Sequence, residues 1–139
     1  MADVLVPPWR QCLYRSRLAE GRGYEVFARL ARCARTRNAA EGTGGCLLFD
    51  GQRFCQLIEG PAAAVSALWT RIALDARHRE VELLLERRLD WPAHGPPPWD
   101  YGYCAPDDLD CFERRPAPVQ GVPALAAFDL IRAGADLAR

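Results

Sequence analysis

Lysine is absent from this 139-residue chain, in which all eighteen basic residues are arginine. That absence excludes sites built on a lysine amine: a P-loop lysine, a Schiff-base lysine and a Ser-Lys dyad. Histidine is scarce, with only His78 and His94. None of the six cysteines stands in a C-x-x-C pair, so buried structural thiols are favoured over a metal site or a disulfide framework. Cys104 and Cys111, in a less regular segment, are the pair to consider for redox chemistry.

Long hydrophobic runs and an excess of one charge are also missing. Half of the residues are hydrophobic, which supports one domain with a substantial core, yet no apolar run is long enough to cross a membrane. The formal net charge is zero, so we expect neither a nucleic-acid nor a membrane partner. The arginines around residues 29–37 are explained more simply as a solvated helix face. The N-terminus lacks a signal-peptide pattern, which predicts a cytoplasmic protein.

Hydrophobic periodicity divides the chain into five predicted strands and three predicted helices. The strands are expected at residues 10–17, 45–49, 53–59, 80–89 and, as a short fifth strand, 99–104. The helices are expected at residues 24–36, 62–75 and about 123–137, with a further helical turn near 107–112. The proline-rich residues 92–98 predict an irregular connection.

The order β-α-β-β-α-β predicts an α+β, ferredoxin-like sheet with two helices on one face. In the first and third strands, Leu13, Cys55 and Leu57 alternate away from those helices, so the second face must also be covered. The C-terminal helix is the available cover, through its apolar residues Leu125, Phe128, Leu130 and Ile131. We therefore expect one domain over residues 9–104, with residues 105–139 as its helical cap.

A primary amide in the predicted third strand raises a chemical question. In FDGQRFCQLIEGP, residues 49–61, Gln56 shares a strand face with the large hydrophobic residues Phe54 and Ile58. A buried amide brings two donors and an acceptor, and it is costly to leave them unpaired. The sequence therefore predicts a polar group against Gln56, which is either a backbone carbonyl, a neighbouring side chain or a bound ligand.

Four segments carry a more specific pattern, over roughly residues 10–104. They are LYRSR, RNAAEGTGGCLLFDGQRFCQLIEGP, RIALDARHREVELLLE and PWDYGY. Tyr14 in the first strand, Asn38 after the first helix and Gln56 in an F-x-Q-x-x-E-G-P strand form a combination that is much more specific than any one residue. Together these segments resemble the BLUF domain, the blue-light sensor that uses flavin.

The resemblance implies a non-covalently bound flavin, FAD with FMN as the alternative, wedged between the two helices over the sheet. Asn38 would hydrogen-bond the polar edge of the ring, with Arg37 beside it. Arg71, Asp75 and His78 match the polar contacts of the family along the second helix and its end. Independently of the family, Arg71 and Asp75 are four residues apart on one helix face, where they can act together or form an ordinary surface ion pair.

The resemblance also implies a light switch and no catalysis, with Tyr14, Gln56 and Trp99 as the photoactive residues. After blue light is absorbed, an electron passes from Tyr14 with proton movement and then returns. Gln56 emerges rearranged, with a changed hydrogen bond to the flavin, and the absorption shifts slightly to the red. Phenol and amide are each both donor and acceptor, so Gln56 can link Tyr14 to the cofactor.

Three departures from the family pattern bear on signal output more than on flavin binding. Thr43 replaces an apolar residue expected to line the pocket, Tyr101 stands where a methionine is common, and the proline-rich segment before Trp99 is longer.

A flavin-free interaction module of the same fold is the alternative function. An acyl-phosphate hydrolase would need an anion site after the first strand, for which Arg17 and the following glycines are a weak match. No effector domain follows within the chain, so we expect output through an unidentified partner protein or a homo-oligomer.

Overall fold

The computed structural model describes residues 8–114 and 118–138. The strands are β1 (Trp9–Leu18), β2 (Gly44–Phe49), β3 (Arg53–Pro61), β4 (His78–Leu89), β5 (Trp99–Tyr103) and β6 (Asp136–Ala138). The helices are α1 (Tyr24–Cys33), α2 (Ala62–Ala73) and α3 (Gly121–Gly134). A π-helical segment, Ala34–Asn38, continues α1, and a 3-10 helix, Pro106–Glu113, follows β5. Within the described ranges, no helix is long and apolar enough to cross a membrane.

The strands form one mixed sheet in the order β4-β1-β3-β2-β5-β6. Only the β2–β5 pair is parallel, and the other neighbours are antiparallel. The α+β, ferredoxin-like plan and the fifth strand are therefore confirmed. The sequence missed β6, because the prediction extended the last helix to residue 137. Helix α3 instead ends at Gly134, a poor helix former, and the next three-residue strand is too short for an alternating pattern to be recognised.

Leu84 interrupts the alternation of β4 because it is the extra residue of a β-bulge. Leu13 of β1 pairs with Leu85, whereas the next residue, Tyr14, pairs with Leu83. Leu84 and Leu85 therefore pack together on the second face of the sheet, and Leu83 packs on the face that carries α1 and α2. The bulge therefore places two consecutive leucines on the same face of the sheet and interrupts the alternation at that point.

The second face of the sheet is covered by the C-terminal residues, as the strand pattern predicted. Leu13, Cys55 and Leu57 pack there against a buried set that includes Leu109, Phe112, Ala124 and Phe128. The inward stripe of α3 runs through Ala124 and Phe128, with Leu125 and Ile131 packed beside it. The prediction for Leu130 is wrong: it is 77% exposed, because its position in the helical turn faces away from this stripe.

Ion pairs also fasten this covering layer to the sheet. The Glu113 carboxylate, at the end of the 3-10 helix, accepts from Arg17 Nη2 at 2.6 Å and from Arg53 Nη1 at 3.1 Å. Arg132 of α3 donates to Asp100 of β5, with 2.5 Å between Nη2 and Oδ2. The cap is thus held to β1, β3 and β5 by charge as well as by apolar burial.

Replacement of Phe128 by alanine should strongly destabilise the protein. Phe128 is fully buried between α3 and the sheet, and removing a buried phenylalanine ring costs about 3–5 kcal/mol. Leu130→Ala, just over half a turn away on the exposed face of α3, is the matched control and should change the free energy of unfolding by less than about 0.5 kcal/mol. Urea unfolding of both variants measures the difference, and equal losses would contradict the packing of α3 on the sheet.

Candidate functional site

A cleft of about 130 Å³ lies between α1 with its π-helical extension on one side and α2 on the other. Tyr14 of β1 and Gln56 of β3 line its floor. The polar residues around it include every residue predicted to bind the cofactor: Arg37, Asn38, Gln56, Arg71, Asp75 and His78. Its apolar walls come from Leu30, Cys33, Leu68 and Ile72. Tyr14 and the six predicted cofactor-binding residues, which come from several different segments of the chain, thus line one cleft.

Tyr14 and Gln56 form the central contact of the cleft. They are direct partners in the antiparallel β1–β3 register, so both side chains emerge on the same face. The Tyr14 phenol donates to the Gln56 Oε1 at 2.5 Å, and both side chains are buried. Among the described residues, none accepts a hydrogen bond from Gln56 Nε2. The Gln56 amide is therefore satisfied at its oxygen by a neighbouring side chain, while its nitrogen lines the cleft and has no partner in the described part of the chain.

The surroundings of Tyr14 keep its phenol neutral and fixed in position. Burial raises the pKa of Tyr14 well above its ordinary value of 10.0, with nearby Cys55 and Asp75 adding to the effect. Trp69 of α2 meets the Tyr14 ring edge-on at 5.5 Å. The phenol can therefore act as a hydrogen-bond donor throughout the ordinary pH range.

His78 closes the floor of the cleft beside Tyr14. Its Nε2 lies 2.6 Å from the Ile72 carbonyl oxygen, which can only accept, so Nε2 carries the proton. In the neutral ring Nδ1 then accepts from the Ser16 hydroxyl at 2.8 Å. Both ring nitrogens have protein partners, so His78 presents its ring face or edge rather than a free nitrogen to the cleft.

Asn38 is held at the end of the π-helical segment, where it is 6% exposed. Thr43 fixes its backbone: the Thr43 amide and hydroxyl both donate to the Asn38 carbonyl oxygen, at 3.1 and 2.7 Å. The Asn38 Oδ1 lies 3.4 Å from Arg71 Nη2, and no described residue accepts from Asn38 Nδ2. Thr43, which departs from the family pattern, therefore positions Asn38 through a hydroxyl.

The Arg71–Asp75 ion pair is not formed, and each residue has another partner. Arg71 Nη2 lies 2.9 Å from Glu41 Oε2, which draws α2 toward the end of the π-helical segment. Asp75 is bound instead by Arg77, with Oδ2 2.6 Å from Nη2, and this hydrogen bond lowers the pKa of Asp75. Sequence reasoning missed both Glu41 and Arg77. Glu41 lies four residues after Arg37, which it also contacts, and that helical spacing was the available signal.

Trp99 is the one predicted switch residue that does not line the cleft. It is 5% exposed and belongs to the same buried cluster as Tyr14. Its β5 position pairs with Gly45 of β2, and a side chain at Gly45 would press against the Trp99 ring. No described residue accepts from the Trp99 indole nitrogen, which is buried.

Residues 10–93 match the family model described as sensors of blue-light using FAD, the BLUF family. The match covers more than half of the chain. The chain belongs to the BLUF family. BLUF domains are flavin-binding sensor modules, and the resemblance stated from the sequence is confirmed.

Comparison with other proteins supports the same family. The chain is 33% identical over 73 residues to the blue light- and temperature-regulated antirepressor BluF of Escherichia coli, covering 52% of this chain and 18% of that protein. It is 34% identical over 71 residues to the photoactivated adenylate cyclase subunit alpha of Euglena gracilis, of which it covers 7%. The chain thus spans less than a fifth of the length of these curated relatives.

Among solved structures, the dark-state structure of BlrB, a BLUF protein, matches with 25% identity and a TM-score of 0.64. The match covers 91% of this chain and 87% of BlrB. The photo-activated state of BlsA shares the fold at 21% identity and a TM-score of 0.63.

The donors of this BLUF cleft suit a flavin, whereas its volume is small for one. Gln56 Nε2 and Asn38 Nδ2 are donors that have no acceptor among the described residues, and the polar edge of a flavin ring offers carbonyl oxygens and ring nitrogens. Small-molecule pockets usually measure about 300–1,000 Å³, more than the 130 Å³ here. The Arg71–Glu41 ion pair bridges the two walls, so the cleft must widen around a ring system.

Replacement of Glu41 by glutamine should strengthen FAD binding by up to about fivefold. That fold-change corresponds to the free energy that an exposed ion pair contributes. The variant keeps the size of the side chain but releases Arg71 and removes a negative charge from the mouth of the cleft, which favours an anionic ligand such as FAD. Glu86→Gln, which breaks the comparable Arg10–Glu86 pair on β4, is the control and should leave FAD affinity unchanged. Titration of the flavin-free protein with FAD measures both. Weaker binding by Glu41→Gln would contradict the interpretation of this ion pair as a competitor.

Proposed function

We propose that this chain is a blue-light photoreceptor that binds FAD non-covalently and signals through a Tyr14–Gln56 hydrogen-bond switch. The observation that carries the proposal is the state of the Gln56 amide. Its oxygen is held by the Tyr14 phenol at 2.5 Å, and its nitrogen lines the cleft with no acceptor among the described residues. A ligand acceptor in the cleft would complete the chain of hydrogen bonds from the phenol to the cofactor.

Each cleft residue has a role in this proposal. Asn38 holds the polar edge of the ring through its unpaired amide nitrogen, with Arg37 beside it. Arg71 moves from Glu41 to the cofactor, and Asp75 contacts the cofactor at the end of α2. His78 contacts it with the face or edge of its ring, since both ring nitrogens have protein partners. When bound, FAD supplies the absorption of blue light and accepts an electron in its excited state.

The switch itself belongs to Tyr14 and Gln56. Tyr14 gives up an electron with movement of its phenolic proton and then regains both. While that proton is displaced, the Gln56 oxygen loses the donor that fixes its orientation, so the amide is free to rearrange. Gln56 then presents a changed hydrogen bond to the cleft, and β3 and its neighbours register the change. Trp99 is buried in the same cluster as Tyr14, and in this proposal it passes the change at the switch to β5.

The output of the switch passes to another molecule in this proposal. The relatives named as an antirepressor and as a cyclase subunit are much longer than this chain, and the chain itself is proposed to be non-catalytic. Residues 105–139 act as the cap of the domain formed by residues 9–104. Described residues of this segment, including Phe112 and Phe128, contact the strand that bears Gln56 from behind through Cys55 and Leu57. A partner protein in the cytoplasm, or a second copy of the chain, would read the change.

A flavin-free interaction module of the same fold is the second candidate. The small cleft volume and the Arg71–Glu41 bridge favour it, because both describe walls that close on each other. The amide nitrogens of Gln56 and Asn38 favour the photoreceptor, since both line the cleft as donors that have no acceptor among the described residues and that a bound ligand could satisfy.

The purified protein should be yellow after gel filtration, and blue light should shift its flavin absorption reversibly to the red. Tyr14→Phe keeps the packing against Trp69 but has no phenolic proton, and Gln56→Ala removes the amide link, so both should retain flavin and lose the shift. Visible spectra before and after illumination measure this, and chromatography of the released cofactor separates FAD from FMN.

Ser66→Ala is a suitable control, because Ser66 lies on α2 and bonds Arg10 outside the cleft at 2.9 Å. It should keep both the flavin and the shift. A colourless protein that takes up no added flavin would support the flavin-free module instead. A normal shift in Tyr14→Phe would move the electron donor elsewhere, first to Trp69, which touches the Tyr14 ring.

A further inference from the structure

A larger hollow lies outside the cleft, where α1 faces the last two strands of the sheet. This groove encloses about 590 Å³, within the range of about 300–1,000 Å³ that ligand sites occupy. Its floor is aromatic, with Phe27, Tyr101 and Tyr103, and the rings of Phe27 and Tyr103 lie 4.8 Å apart. Tyr103 is 44% exposed, so apolar surface is accessible along the groove.

Arginines form the rim of the groove on the α1 side. Arg32 and Arg35 line it, and Arg29 continues the same row, since residues three apart are neighbours on a helix. All three are exposed, and none forms an ion pair with a carboxylate of the described residues. Glu25 lies near enough to Arg29 to feel its charge, and Asp136 is the acidic residue that lines the groove. The rim therefore keeps a local excess of positive charge in a chain of zero net charge.

We infer that this groove docks an acidic segment of a partner protein that carries an aromatic or aliphatic side chain. Tyrosine and arginine are the residue types enriched at the energetic centres of protein interfaces. The tyrosine floor accepts the apolar side chain, and the arginine rim pairs with the acidic residues around it. Nucleic acid is disfavoured as the occupant, because it selects an extended basic surface, whereas this rim is confined to one side of one helix.

The groove is also joined to the switch by the register of the sheet. Tyr14 pairs with Gln56, Gln56 with Leu47, and Leu47 with Tyr101, so these four side chains form one row across four strands. Tyr101 lies two strands from Gln56, about 10 Å at ordinary strand spacing. At the end of the row, Arg35 Nη1 donates to the Tyr101 hydroxyl at 2.9 Å. A change at Gln56 can therefore reach a rim arginine through Leu47 and Tyr101, a step that rests on the proposed photoreceptor function.

The test uses the flavin-loaded protein and the fluorescein-labelled peptide DEDWEDE, with DEDAEDE and KRKWKRK as control peptides. In the dark, the tryptophan peptide should bind more tightly than either control. Arg32→Glu and Arg35→Glu should each weaken its binding about tenfold or more. Arg88→Glu is the matched control: it makes the same charge change on an exposed residue of β4, at the opposite edge of the sheet, and should leave the affinity unchanged.

Illumination during the same titration separates the groove from the switch. Light should change the peptide affinity about fivefold or more, and Tyr101→Phe, which frees Arg35, should reduce that change while dark binding persists. Equal losses in Arg35→Glu and Arg88→Glu, equal binding of both acidic peptides, or tighter binding of single-stranded RNA would overturn the docking inference. A normal red shift without peptide binding would overturn only the inference that the groove docks an acidic segment. Peptide binding without any red shift would overturn only the photoreceptor proposal.

Discussion

The hydrogen bond from the Tyr14 phenol to the Gln56 amide oxygen is the interaction on which the site depends. It decides which end of the amide is occupied by the protein, and so leaves the amide nitrogen as a donor for the cleft. The antiparallel register of β1 and β3 places the two side chains opposite each other, and burial keeps the phenol protonated. A change in this one bond alters what the cleft offers to a ligand.

The rest of the fold holds these two strands rigid from both sides. On the front face, α1 and α2 supply the walls of the cleft, and Trp69 and His78 flank the Tyr14 ring. On the back face, the C-terminal layer packs on Cys55 and Leu57, the neighbours of Gln56 in β3. Because β3 is covered on both faces, a rearrangement of Gln56 must be taken up by its neighbours rather than by solvent.

Much of this architecture could be predicted from the sequence, because alternation in β1 and β3 assigns each residue to a face. It predicted the shared face of Tyr14 and Gln56 and the need for cover on the other face. The short β6 could not be predicted, since three residues carry no period, and Leu130 was misplaced because a mostly apolar helix does not mark its buried side. Arg71 and Asp75 both line the cleft, but their partners could not be predicted, because these depend on a tertiary contact with Glu41 and on the turn that brings Arg77 back to Asp75.

The most direct test of this account is an NMR measurement of the Gln56 side-chain amide in protein labelled with ¹⁵N-glutamine, with Gln56→Ala to assign the signal among the four glutamines. If the Gln56 nitrogen donates into the cleft, addition of FAD should shift its amide proton strongly, while the other glutamine amides stay nearly unchanged. In Tyr14→Phe the Gln56 signal should already differ before FAD is added, because the phenol no longer fixes the amide. A Gln56 amide signal that stays the same when FAD binds would contradict the account.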